Sequence, residues 1–184
     1  MTLSTKTRMT VDEYLSWAED QPGRYELVDG IVHAMSPETA GHAEKKAAVH
    51  GALLAGIRAR RLPCHALPDG MTVRINKATS YEPAAVVYCG TKLASSAVEV
   101  PNPVIVVEVL SPSTRHIDLS LKLADYFQLP SVVHYLIIDP IQPLVIHHAR
   151  NGGDSIVTRI VREGAVTLDP PGLELALAYI YGEA

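Results

Sequence analysis

The stretch Val104-Ile105-Val106-Val107-Glu108-Val109-Leu110 constrains this chain most. A strand this apolar is normally buried on both faces of a sheet. One carboxylate, Glu108, interrupts it, and a buried carboxylate is costly unless it is paired or bound to a metal. The strand belongs to a longer run, Pro83 to Tyr126, that reads strand, loop, strand, helix. Its first strand is Pro83-Ala84-Ala85-Val86-Val87-Tyr88, with Ala84, Val86 and Tyr88 expected on one face, and its helix carries Asp118, Lys122 and Tyr126 at i, i+4 and i+8. A helix packed back on the sheet brings Lys122 to the side of Glu108. Chemistry is sought there first.

The rest of the chain supplies elements that can enclose such a strand. Thr10-Val11-Asp12-Glu13 is a capping-box pattern opening a short helix through Trp17. Asp29-Gly30 between two alternating segments predicts a β-hairpin. A helix is expected from about Thr39 to Arg61, with His42, Val49, Leu53 and Ile57 near one face, and arginines at its C-terminal end suited to the helix dipole. Short strands are expected over 62–67 and 71–75, helical character near 92–96, and a helix near 118–128. Further strands are expected over 132–139, 143–149 and 155–161, and the apolar segment 172–181 docks on the body. This is one α/β domain, residues 1–184, with a mixed β-sheet flanked by helices and an N-terminal helix and β-hairpin.

Composition excludes several classes. With 184 residues, 47% hydrophobic and 20% charged, the chain fits a soluble globular protein. A formal charge of −4 argues against broad electrostatic binding of nucleic acid, though not against a local basic cleft. No apolar run is long enough to span a bilayer, and the N-terminus lacks a signal-peptide core. Cys64 and Cys89 have no metal spacing and no disulfide framework, so two reduced thiols in a cytoplasmic protein are expected. The histidines show no metal spacing. His147 and His148 point to opposite faces of a strand, and surface placement is expected for them.

Several segments together resemble a known family. They are Glu26-Leu27-Val28-Asp29-Gly30, Met35-Ser36-Pro37, His42, Glu82-Pro83, Val107-Glu108-Val109-Leu110-Ser111-Pro112-Ser113-Thr114, Asp118, Lys122-Leu123, Tyr126 and Tyr135 to Pro140. From about Met9 to Tyr181 the chain is similar to the Uma-type restriction endonucleases. The resemblance implies a restriction-endonuclease-like fold and a PD-(D/E)xK nuclease site for Mg²⁺- or Mn²⁺-dependent cleavage of DNA. In such a site two carboxylates on adjacent strands hold Mg²⁺, which prefers oxygen ligands, and a lysine orients water or stabilises developing charge. The resemblance makes Glu108 one metal-binding carboxylate and adds Glu26 to the acidic group. The short motif's lysine would fall at Leu110, and Lys122 takes its role from the following helix. His42, Asp118 and Tyr126 become supporting residues.

The chain departs from the family at Ala84, where an aspartate directly follows the proline. Alanine cannot bind a metal, so the metal site would be impaired. Either the residue was altered in an otherwise intact site, or a natural member lost its ligand. Glu82 is no easy replacement, because it lies about 6–7 Å further along the strand. Blander readings stay open for each residue. Glu108 fits a buried ion pair, Lys122 a surface lysine paired with Asp118, Glu26 a solvent-facing position, and His42 and Tyr126 packing roles. Three functions follow: an impaired DNA endonuclease, a non-catalytic DNA- or protein-binding module, and a structural or homodimeric protein.

Overall fold

The computed structural model describes residues 8–111, 120–153 and 155–182. Helix α1 (Val11–Ala18) begins at the expected capping box. The Thr10 side chain accepts from the Glu13 amide, and Glu13 accepts from the Thr10 amide at 2.7 Å. Strands β1 (Tyr25–Val28) and β2 (Ile31–Ala34) form the hairpin. Both turn residues have positive φ, 50° at Asp29 and 77° at Gly30, as a two-residue turn with this twist requires. A Cβ at Gly30 would also sit 3.0 Å from the Arg8 side chain. Val11, Tyr14 and Leu27 bury the α1–hairpin contact.

Helix α2 (Ala40–Arg60) is capped by Thr39, whose hydroxyl accepts from the His42 amide. It buries Val49, Leu53 and Ile57, one residue per turn along one stripe. Strands β3 (Cys64–Pro68), β4 (Val73–Arg74), β5 (Ser80–Tyr81), β6 (Ala85–Cys89) and β7 (Pro103–Val109) follow. Then come α3 (Lys122–Tyr126), β8 (His134–Ile138), β9 (Val145–Arg150) and β10 (Ile156–Val161). The hairpin β11 (Ala165–Leu168) and β12 (Leu173–Ala176) leads into α4 (Leu177–Tyr181).

The central sheet has six strands in the order β10-β9-β8-β7-β6-β3. Only β7 and β8 run parallel within it; every other neighbouring pair is antiparallel. A second sheet, β2-β1-β5-β4, joins the hairpin to the segment before β6. One face of the central sheet packs on α2, the β11–β12 hairpin and α4, through residues such as Val107, Val109, Leu136 and Leu175. The other face packs Val86, Val106, Leu110 and Tyr135 against Tyr81 and Tyr126. Strands β7 and β8 are buried throughout apart from Val104, as their near-continuous apolar sequences require.

Four local expectations need correction. The segment around Lys92 to Ser96 forms no helix: residues 92–94 have no regular structure and 95–96 make a turn. Cys64 and Cys89 are joined in a disulfide, since β3 and β6 pair in a register that sets them directly opposite each other. His147 and His148 are both buried, at 2% and 6% exposure, because β9 lies inside the sheet with both faces covered. Strand β6 begins only at Ala85, so Ala84 does not share the face of Val86 and Tyr88 and packs instead with the α2-side cluster.

Candidate active site

Alternation along β7 directs Val107 and Val109 towards α2 and Glu108 to the opposite face, towards α3. Lys122 opens α3 and Tyr126 lies one turn later, so both meet that face. The Lys122 ammonium donates to Oε1 of Glu108 and to Oε1 of Glu26, each at 2.9 Å. The Tyr126 hydroxyl donates to the same Glu108 oxygen at 2.9 Å. Glu26, from β1, also accepts the Glu82 backbone amide at 3.1 Å. Glu108, Lys122 and Tyr126 are 6%, 2% and 0% exposed, and Glu26 is 9% exposed. Burial, followed by the Glu108 charge, pushes the Tyr126 hydroxyl well above the ordinary tyrosine range, so it stays a donor.

A tyrosine lid completes this cluster. The Lys122 ammonium lies 4.9 Å from the centre of the Tyr81 ring, a cation–π distance. The Tyr81 hydroxyl donates to Asp125 at 2.5 Å. Burial, then that hydrogen bond, raises its pKa.

A second lysine-centred group lies around position 84. Ala84 lines a cavity of about 260 Å³ together with Glu38, Lys46, His50 and Asp69. Lys46 bridges Glu38 and Asp69, with 2.6 Å to Asp69. Arg24 reaches Asp69 at 2.5 Å and grips Glu82 through Nε and Nη2 at 3.0 and 2.9 Å. Burial works to raise the Glu38 and Asp69 carboxyl groups, but their hydrogen bonds and ion pairs outweigh it, and both lie below the usual carboxylate range. A second cleft of about 420 Å³, lined by Arg24, Ser36 and Pro37 among others, shares Glu38 and Asp69 with the cavity.

His42 joins the two groups. A carbonyl can only accept, so its Nε2 donates to the Val109 carbonyl at 2.9 Å, next to Glu108. Its Nδ1 then faces Glu38 at 3.7 Å. Position 84 precedes Ala85, whose register partner is Val107, the residue before Glu108. Thus Glu26, Glu108, Lys122 and Tyr126 converge, His42 reaches only the Val109 backbone beside them, and Ala84 lines the cavity of the second group without a donor atom. Asp118 lies outside the described residues. Sequence reasoning missed Arg24, Glu38, Lys46, Asp69, Tyr81 and Asp125. Their partners are up to 58 residues away, and no local pattern announces them.

The fold is α/β, a mixed sheet flanked by helices, of the restriction-endonuclease-like type. The chain belongs to the Uma2 family, described as "Putative restriction endonuclease", whose profile matches residues 11–179. It is 26% identical over 184 residues to "Uncharacterized protein slr1290" of Synechocystis sp., covering 95% of this chain and 92% of that protein. Its fold matches the crystal structure of "a putative nuclease belonging to DUF820" from Anabaena variabilis with a TM-score of 0.73 at 14% identity, over 94% and 97% of the two chains. Among the described residues no helix is long and apolar enough to cross a membrane.

Proposed function

We propose that this chain is a metal-dependent DNA endonuclease scaffold in an impaired form, with Glu108, Lys122 and Glu26 as the remaining site residues and Ala84 at the position of a lost ligand. The observation that carries this reading is the double hydrogen bond of the Lys122 ammonium to two buried carboxylates from separate sheets. Three acidic or basic groups from positions 26, 108 and 122 are rarely buried together for packing alone, because each costs free energy to desolvate. Family membership favours phosphodiester hydrolysis as the purpose of that arrangement.

The residues present do not fit a bound Mg²⁺ or Mn²⁺. Among the described residues no group of three or more acidic, histidine or cysteine side chains is arranged to hold a metal ion. The Ala84 methyl supplies no oxygen and packs with the α2-side cluster, and Glu26 and Glu108 each spend Oε1 on Lys122. An aspartate at position 84 would add the missing oxygen donor. The test is Ala84→Asp, assayed on supercoiled and linear DNA with Mg²⁺ or Mn²⁺. Cleavage is expected from Ala84→Asp and not from Ala84→Asp/Glu108→Gln. A folded Ala84→Asp protein that cleaves no better than the Ala84 protein would overturn the reading.

A second reading is a non-catalytic DNA- or protein-binding module on the same fold. The mutual pairing of Lys46 and Arg24 with Glu38, Asp69 and Glu82 favours it, since these charges are satisfied internally without a metal. It predicts DNA binding that persists in EDTA and weakens steeply with salt. Loss of binding in EDTA would count against it.

A further inference from the structure

The two edges of the central sheet are built differently. Strand β3 is bonded to β6 by the Cys64–Cys89 disulfide, packs under α2 and ends in Pro68, which has no amide hydrogen to offer. Strand β10 closes the opposite edge, and among the described residues its outer side pairs with no strand. Its sequence is Ile156-Val157-Thr158-Arg159-Ile160-Val161, with five β-branched residues and one arginine. It holds no proline, glycine, lysine or acidic residue, so it lacks most of the devices that keep an open edge from pairing. Ile156, Thr158 and Ile160 share one face, registered against Arg150, His148 and Ile146 of β9. Ile160 is 66% exposed and Ile156 38%.

We propose that β10 is a homodimer interface, pairing antiparallel with β10 of a second copy about a two-fold axis through Thr158. The strand is self-complementary in that register. Ile156 faces the second copy's Ile160, twice by symmetry, and Thr158 faces Thr158. These apolar and Thr–Thr pairs are favourable cross-strand neighbours. On the other face Arg159 meets Val157. A slip that centres the axis on Arg159 sets two arginines face to face, and one that centres it on Val157 leaves Ile160 unpaired, opposite no β10 residue. Charge and shape therefore select the Thr158-centred register. The two six-stranded sheets then continue into one sheet of twelve, with α2 of both copies on the same side.

Sedimentation equilibrium on the full chain tests this. The unmodified protein is expected to form a dimer that dissociates on dilution. Ile160→Lys and Ile156→Glu are each expected to weaken it at least about tenfold. The double variant Ile156→Glu/Ile160→Lys regains it, because each new carboxylate faces an ammonium across the axis. Cross-linking supplies a readout that does not depend on these variants folding. Thr158→Cys should give a dimer with a short bis-maleimide, and Thr167→Cys, on β11, should not. A monomer at all concentrations, a dimer indifferent to Ile160→Lys, a double variant no tighter than the singles, or failure of Thr158→Cys to cross-link overturns the proposal.

Discussion

Lys122 and Lys46 each sit between two carboxylates, on either side of position 84, and their surroundings differ. The side chains of Glu26 and Glu108 are 11% and 8% exposed, whereas those of Glu38 and Asp69 are both 30% exposed. Coulomb attraction is weakened where water reaches the pair, so a similar triad contributes less at the cavity than beneath α3. The buried triad also carries a tyrosine hydroxyl and a tyrosine ring, while the cavity triad leans on Arg24. Similar ion-pair chemistry therefore serves two purposes. The buried group must stay neutralised for the fold to survive, and the cavity group can be rearranged at modest cost.

That contrast can be broken in order of size. Lys122→Met leaves two buried carboxylates uncompensated and should lower stability by about 3–5 kcal/mol in urea unfolding at neutral pH. A cost below 1 kcal/mol would place the group in water-like surroundings. Tyr126→Phe removes one hydrogen bond to a charged, buried acceptor and should cost about 1.5–3 kcal/mol by the same measurement. Lys46→Met should cost only about 1 kcal/mol, since Glu38 and Asp69 retain solvent and Arg24. Equal losses for the two lysine variants would abolish the distinction.

The smallest effect is on pH dependence. Their hydrogen bonds and ion pairs, outweighing burial, hold the Glu38 and Asp69 carboxyl groups of the folded protein below their ordinary values of 4.5 and 3.8. Their contribution is fully present above about pH 4.5 and is lost as pH falls through the lowered folded values. The melting temperature should therefore fall less steeply with acid, below pH 4.5, in Lys46→Met than in the unmodified protein. An identical slope would show that Lys46 does not hold these groups ionised.

Where one segment dictates its own geometry, the sequence was legible. The Thr10–Glu13 box, the Asp29-Gly30 turn and the α2 stripe formed as expected, within a residue or two of their limits. The meeting of Glu108 with Lys122 followed from strand alternation and a helix packed back on the sheet. Features made by two distant segments left no local trace. Cys64 and Cys89 face each other only because β3 and β6 adopt one register over five paired residues. His147 is buried because the β11–β12 connection covers its face. There the Nε2 of His134 donates to the Pro170 carbonyl, and its Nδ1 accepts from His147. Burial, then the neighbouring charges of His134, Arg159 and His148, lowers His147 to about 4. The turn of the chain at Ala84, which moves that residue off the Val86 face, is likewise a tertiary effect.

The bond from Lys122 to Glu26 spans 96 residues, and the one to Glu108 spans 14. Closing the longer span costs more chain entropy, so the local pair has a head start during folding. On a growing chain Glu26 emerges long before its cation exists. Until α3 arrives, α1 and β5 can already pack on the β1–β2 hairpin, but the Glu26 carboxylate has no Lys122 ammonium beside it. A nascent chain stopped before Lys122 would therefore carry Glu26 and Glu108 without their shared cation. With Tyr126 also still to come, the Val86 and Val106 face of the sheet would lack part of its cover and be open to association.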